Sequence, residues 1–177
     1  MFTATSQDPA AGRPLLLVDV DGVLSLFGFP PESPPSGVMA LVDGLPHLLS
    51  DQTAERLKTL AADYEMAWCT GWEERADEHL PHLLGLPAGW PHVPLHGVGR
   101  PGASVAGHWK LDAIDAFAGR TRPLAWIDDA LDAACDAWAA ARPGPTLLVR
   151  TEPAVGLTAA DTERLLAWAT RSCAAPW

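Results

Sequence analysis

Short, continuous apolar runs alternate along the chain with segments of helical periodicity. Such runs cover residues 15–18, 66–69, 124–127 and 146–149, and a weaker one covers residues 93–95. An apolar run of this length, without polar alternation, is typical of a strand that is buried on both faces of a parallel sheet. The pattern therefore predicts five strands.

Amphipathic segments separate these runs and predict the helices that cover the sheet. Asp51 is suited to the N-cap of the first helix, and Pro81 is expected to interrupt the second. Thr158 and Asp161 resemble a capping box at the start of the last helix. Strands that alternate with helices indicate an α/β fold. We predict a Rossmann-like three-layer sandwich around a mostly parallel five-stranded sheet.

A hairpin is predicted beside the first strand. Proline and glycine are frequent in residues 28–37, and two short extended segments follow at 38–42 and 46–49. Asp43 and Gly44, which separate them, are a strong signal for a tight turn. We expect a small flap within roughly residues 24–50, a flexible leader over residues 1–13, and a single domain over residues 14–177.

Charge and cysteine content narrow the partners and the compartment. The 22 acidic residues outnumber the 12 basic ones, and the net charge is −10. Such a surface repels nucleic acid, so a nucleic-acid partner is disfavoured, although a bound metal ion could reverse the local sign. No apolar run approaches the length of a membrane span, and Cys69, Cys135 and Cys173 are expected to be free thiols. We expect a cytoplasmic protein without a membrane partner.

Carboxylates and a hydroxyl follow three of the predicted strands. Asp19 and Asp21 follow the first strand, Thr70 follows the second, and Asp128 and Asp129 follow the fourth. The carboxyl ends of parallel strands meet at one edge of the sheet, where ligands bind. Carboxylates gathered there would repel one another unless a cation neutralised them, and oxygen ligands suit magnesium. The sequence therefore predicts a Mg²⁺ site at this edge.

The same residues suit phosphoryl transfer. Asp19 is placed to attack phosphorus, and Asp21 to act as general acid and then as general base. The Thr70 hydroxyl and the Gly71 amide would bind phosphoryl oxygens, and Lys110 would supply a positive charge.

The order of these motifs resembles the haloacid dehalogenase (HAD) superfamily. The motifs are Leu-Leu-Val-Asp-Val-Asp-Gly-Val-Leu around Asp19, Thr70-Gly71, Lys110, and Ile-Asp-Asp around Asp128. Two further segments, Trp-Cys-Thr-Gly-Trp-Glu-Glu around Thr70 and Leu-Ala-Trp-Ile-Asp-Asp, are similar to a branch named after HAD domains in Swiss-army-knife RNA repair proteins.

This resemblance implies roles for individual residues. Asp19 would be the nucleophile and Asp21 the acid/base, while Thr70 and Lys110 would position the phosphoryl group. Asp21 favours a phosphatase, because the dehalogenases of the superfamily lack this second aspartate. Apart from the resemblance, Trp72 lies just beyond Thr70 and Trp109 just before Lys110, so either could line the mouth of the substrate site. The metal ligands would be Asp19, the backbone carbonyl of Asp21, Asp128 and Asp129, the last directly or through water.

The resemblance also implies a site without a full cap domain. Between Asp21 and Asp51 there is room only for a flap, and between Thr70 and Lys110 a helix, a strand and a loop use up the residues. An open site suits a bulky phosphoester, such as a polynucleotide end, or needs a partner chain to close it. The acidic charge opposes the polynucleotide. Substrate and oligomeric state stay open at this point.

Three alternatives to a phosphatase also remain. A phosphotransferase would use the same intermediate with another acceptor. A response-regulator receiver also combines acidic residues, threonine and lysine around magnesium, but it carries its phosphoacceptor on the third strand, whereas the strand near Leu95 ends in no aspartate. A catalytically silent HAD-like module would bind phosphate without turnover.

Overall fold

The computed structural model describes residues 12–95 and 108–174, with side chains described up to residue 172. Most of the predicted leader and the glycine-rich stretch 97–107 lie outside the described residues. In chain order the elements are β1 (Leu15–Val18), β2 (Ser25–Leu26), β3 (Val38–Val42), β4 (Leu45–Leu49), α1 (Asp51–Leu60), β5 (Glu65–Trp68), α2 (Glu74–Leu84), α3 (Leu111–Ala118), β6 (Leu124–Asp128), α4 (Ala133–Ala141), β7 (Thr146–Arg150) and α5 (Ala159–Ala174).

The main sheet is parallel and is covered by helices on both faces. Its strand order is β5-β1-β6-β7, so β1 is a central strand between β5 and β6. Alternate residues of β1 enter two separate hydrophobic clusters: Leu16 and Val18 pack with α1, α2 and α5, whereas Leu15 and Leu17 pack with α3 and α4. The α/β three-layer architecture that the sequence predicts is therefore confirmed.

The predicted fifth strand, at residues 93–95, is reduced to a single bridge. The Trp68 amide donates to the Pro91 carbonyl, and the Val93 amide donates to the Trp68 carbonyl, both at 2.8 Å. The next amide on the side that faces β5, that of Leu95, donates to the Glu73 side chain instead, so the ladder is not extended. The sheet therefore has four strands in the described part of the chain, not five.

The hairpin forms as predicted, with a third short strand added. β3 and β4 are antiparallel, and the turn residues Asp43 and Gly44 both have positive φ, at 52° and 78°. Two consecutive positive φ values match the twist of a two-residue hairpin turn. The strand β2 pairs with β4 on its other side. Ala40 lies opposite His47 on the face toward the body of the protein, whereas Met39 and Leu41 point outward and are exposed.

Two helix details differ from the sequence prediction and one is confirmed. Ser50, not Asp51, is the N-cap of α1, and its hydroxyl accepts a hydrogen bond from the Thr53 amide. Pro81 does not interrupt α2, because its ring is buried against the core and the packing holds the helix through residue 84. Thr158 and Asp161 form the predicted reciprocal cap at α5. None of the described helices has both the length and the apolarity of a membrane span.

Candidate active site

Three neighbouring strands deliver the predicted site residues to one edge of the main sheet. Asp19 follows β1, Thr70 follows β5 by two residues, and Asp128 is the last residue of β6. These three side chains are almost fully buried. Because β1 lies between β5 and β6, Asp19 stands in the middle of the group. The fold thus brings these residues together at the carboxyl ends of the strands, where ligands bind in such sheets.

Lys110 lies between two carboxylates. It is the N-cap of α3, and its Nζ donates to Asp19 Oδ2 and to Asp128 Oδ2, both at 2.7 Å, and to the Cys69 carbonyl at 2.9 Å. Burial alone would lower the pKa of this ammonium, but the negative charge of Asp19 and then of Asp128 outweighs burial and raises it. Lys110 therefore stays protonated and orients the nucleophile candidate.

Asp19, Asp128 and Asp129 form a carboxylate cluster whose ligand oxygens lie within 4.8 Å of one another. Burial raises the pKa of Asp19 to about 6, against the charge of Lys110, and burial also raises the pKa of Asp129, with Asp19 adding to it. Carboxylates this close repel one another, and Mg²⁺ is a hard cation that prefers such oxygens. The donor set fits a magnesium ion. The Asp21 side chain is not part of the cluster.

Gly22 allows Asp129 to approach the first motif. Its φ is +71°, and a Cβ built on it would lie 2.4 Å from both Cγ and Oδ2 of Asp129. A side chain at position 22 would have to displace that carboxylate. Gly22 therefore allows both the bend after Asp21 and the close approach of the Asp129 carboxylate.

The turn after β5 is held by its own hydrogen bonds. The Thr70 hydroxyl accepts from the Trp72 amide at 3.3 Å, and the Thr70 carbonyl accepts from the Glu73 amide at 3.1 Å. Glu73 has a positive φ of 51°, which is uncommon for a residue with a side chain, and its carboxylate is the acceptor for Leu95. Gly71 is exposed at the tip of this turn, where its amide is accessible to a ligand.

Asp21 faces away from the carboxylate cluster, into a cleft. Trp72 Nε1 donates to Asp21 Oδ2 at 3.1 Å, and His47 Nδ1 lies 3.9 Å from Asp21 Oδ1. Loss of solvent around the carboxyl raises the pKa of Asp21, the Trp72 hydrogen bond opposes this, and Asp19 adds to it. Trp72 therefore lies beside the acid/base candidate, and its ring centroid is 4.7 Å from that of His47, with the two rings edge to face.

Sequence reasoning missed five residues of this cleft, three of which are polar: His47 and Asp43 on the hairpin, and Arg75 on α2. Arg75 Nη1 forms an ion pair with Asp43 that joins the turn of the hairpin to the start of α2. The signal for His47 was available, because strand alternation from the Asp43-Gly44 turn places it on the inward face. Asp43 and Arg75 are 32 positions apart in the chain, so no local sequence signal predicts their pairing.

A family profile described as "HAD domain in Swiss Army Knife RNA repair proteins" matches residues 15–162. The chain belongs to this family. The match spans every motif discussed above, from Asp19 to Asp129. Membership in the HAD superfamily excludes the response-regulator receiver as an account of this chain.

Several solved structures are similar to this HAD-family chain. A hypothetical protein from Xanthomonas campestris is 17% identical, with a TM-score of 0.46 over 97% of this chain and 94% of that one. A Legionella pneumophila protein named as a HAD superfamily (subfamily III A) hydrolase is 17% identical, at 0.44 over 93% and 85%. A Vibrio cholerae protein named as a 3-deoxy-D-manno-octulosonate 8-phosphate phosphatase is 14% identical, at 0.41 over 93% and 87%. No curated protein matches the chain.

Proposed function

We propose that this HAD-family chain is a phosphoric monoester hydrolase that depends on Mg²⁺ and forms an aspartyl-phosphate intermediate on Asp19. The observation that carries the proposal is the position of Asp19. Lys110 holds one of its oxygens, Asp128 and Asp129 lie beside it, and Asp21 is directed into the adjoining cleft. This is an arrangement for attack on phosphorus with an acid on the leaving-group side.

In the first step, an Asp19 carboxylate oxygen attacks phosphorus and the bond from phosphorus to the alkoxy oxygen breaks. Protonated Asp21 gives its proton to that oxygen, and an alcohol leaves. Lys110 and the amides of the Thr70-Gly71 turn hold the phosphoryl oxygens, while Lys110 also keeps the attacking carboxylate oriented. Mg²⁺, bound by Asp19, Asp128 and Asp129, would neutralise negative charge on the carboxylates and on the transferring group.

In the second step, water replaces the alcohol. Asp21, now ionised, takes a proton from the water, whose oxygen attacks phosphorus. The bond between phosphorus and Asp19 breaks, inorganic phosphate leaves, and both aspartates return to their starting states. A phosphotransferase would differ only in using an alcohol in place of this water.

Hydrolysis of p-nitrophenyl phosphate by the purified protein, with Mg²⁺ or with EDTA, tests the proposal. We expect turnover with Mg²⁺ and loss of turnover with EDTA that added Mg²⁺ restores. A protein that neither hydrolyses aryl and alkyl phosphates nor binds beryllium fluoride with Mg²⁺ would instead be a silent HAD-like module.

Trp72→Phe removes the hydrogen bond to Asp21 and keeps an aromatic ring. Because an alkoxide needs protonation and nitrophenolate does not, we expect kcat/KM to fall about 10- to 100-fold for an alkyl phosphate and less than about 3-fold for p-nitrophenyl phosphate. Both rates are measured for the variant and for Trp168→Phe, the same change on α5 beside Tyr64. Equal losses on the two substrates would show that Trp72 does not act through the general acid.

Gly22→Ala and Gly28→Ala form a matched pair for the metal site. Both positions have positive φ, at +71° and +76°, so both variants carry the same backbone strain. Only at position 22 does the new Cβ meet Asp129, whereas at position 28 it meets no described atom within 4 Å. We expect the Mg²⁺ concentration for half-maximal activity to rise about 10- to 100-fold in Gly22→Ala alone. If the Mg²⁺ concentration for half-maximal activity were the same in both variants, Asp129 would not be a metal ligand.

A phosphorylated RNA end is the second candidate substrate. The family description, with its RNA repair proteins, favours it. The net charge of −10 opposes it. Release of phosphate from 3′- and 5′-phosphorylated oligonucleotides, compared with release from p-nitrophenyl phosphate, tests it, and kcat/KM values no higher than that for p-nitrophenyl phosphate would count against an RNA end.

A further inference from the structure

The cleft beside Asp21 has the size of one small ring. It lies between the hairpin and the start of α2 and has a volume of about 160 Å³. An apolar cavity of about 150 Å³ accommodates benzene, so this volume suits a single five- or six-membered ring. Its lining residues are Asp21, Val42, Asp43, Leu45, His47, Trp72 and Arg75.

The walls of the cleft combine apolar surface with hydrogen-bonding groups of both kinds. Val42, Leu45 and the Trp72 ring provide apolar area, and Asp43, Arg75 and His47 provide acceptors and donors. His47 is fixed in place, because Nδ1 lies 2.8 Å from the Ser25 hydroxyl and its ring meets Trp72. A hydroxylated ring has the matching surfaces, with C–H groups on its faces and hydroxyls at its edges.

The charges of the cleft disfavour a second anionic group on the ligand. Arg75 is ion-paired with Asp43, so the pair carries no net charge, and Asp21, protonated as the general acid, adds no cation. A carboxylate or a second phosphate would therefore lose solvation here without gaining a cation. The leaving group that fits is uncharged.

We propose that this cleft is the leaving-group subsite and that it takes an uncharged, hydroxylated alcohol of one ring, such as a pentose. The inference rests on the proposed phosphatase function, because Asp21 can protonate a leaving oxygen only where that oxygen enters the cleft. Any further part of the substrate would extend from the open side of the cleft into solvent.

Four phosphate compounds test the class of leaving group. The leaving group of ribose 5-phosphate contains the ring, that of glycerol 3-phosphate lacks it, and that of 3-phosphoglycerate carries a carboxylate. Acetyl phosphate is the reference compound, because its leaving group is small, requires no proton and needs no subsite. We expect kcat/KM for ribose 5-phosphate to exceed the values for glycerol 3-phosphate and 3-phosphoglycerate by about 10-fold or more. Faster turnover of 3-phosphoglycerate than of ribose 5-phosphate would overturn the proposal.

Leu45→Trp and Leu41→Trp test the location. Both leucines are exposed on the same hairpin, at 63% and 76%, but only Leu45 lines the cleft. We expect the ratio of kcat/KM for ribose 5-phosphate to that for acetyl phosphate to fall about 10-fold in Leu45→Trp and to keep its wild-type value in Leu41→Trp. Equal ratios in the two variants would place the leaving group elsewhere.

Binding separates this inference from the proposed function. Calorimetry with Asp19→Asn and Mg²⁺ measures ribose 5-phosphate affinity without turnover, with and without Leu45→Trp. Weaker binding in the double variant supports the subsite even if the wild-type protein hydrolyses nothing. Unchanged binding overturns the subsite even if the wild-type protein is an active phosphatase.

Discussion

Asp19→Asn is expected to reduce phosphatase turnover by roughly 10⁴-fold or more, because the amide cannot form the covalent intermediate. The fold should survive, since Asp128 still pairs with Lys110 when Asp19 is neutral. Turnover of p-nitrophenyl phosphate measures the rate. Mass spectrometry of acid-quenched wild-type protein is expected to show a phosphoryl group on the peptide that contains Asp19, and none in the variant.

Asp136→Asn is the control for removing one carboxylate. Asp136, on α4, forms an exposed ion pair with Arg150 at the end of β7 and is not part of the carboxylate cluster. The variant should therefore turn over at close to the wild-type rate. A wild-type rate in Asp19→Asn, or a phosphoryl group on any other aspartate, would be incompatible with the proposed mechanism.

Lys110→Met is expected to lower the free energy of unfolding by about 3–5 kcal/mol. The ammonium is buried between Asp19 and Asp128, and its removal leaves two neighbouring carboxylates without a cation. Urea unfolding in EDTA measures the loss. Added Mg²⁺ should restore part of the stability, because an ion that binds only the folded protein shifts the equilibrium toward it.

Lys58→Met provides the matched comparison, since the chain has only these two lysines. Lys58 pairs with Glu55 on the surface of α1, and exposed pairs contribute at most about 1 kcal/mol. If both variants lost the same stability, the buried ion pair would not be the source of the effect. If Mg²⁺ stabilised neither Lys110→Met nor the wild-type protein, the carboxylates would not bind the ion.

The parts of the site that the sequence predicts are those at the ends of buried strands. Asp19 and Asp128 each follow an apolar run that is recognisable within a few residues. The carboxyl ends of parallel strands lie at one edge of the sheet, so the two residues are expected to meet there. Lys110 is different, because no pattern in the sequence between β5 and α3 predicts that its side chain lies between two carboxylates. The sequence indicates Lys110 only through its charge and through the resemblance.

The errors have local physical causes. The Leu95 amide, which would extend the pairing with β5, donates to the Glu73 side chain, and no regular fifth strand forms. Pro81 shows the opposite case, in which tertiary packing outweighs the unfavourable propensity of one residue. The cleft could not be predicted, because it depends on how far the hairpin bends toward α2, and the sequence pattern does not encode that distance.

The central position of β1 also determines when the site can form during synthesis. Leu15 pairs with Glu65 on one side and with Leu124 on the other, so the first strand must wait for segments made much later. A nascent chain that ends before β6 holds Asp19 without Asp128, and its β1 has one neighbour in the sheet instead of two. Pairing between segments so distant in sequence is slow relative to local helix formation. The edge of the sheet that carries the candidate site is therefore among the last parts of this domain to assemble on the ribosome.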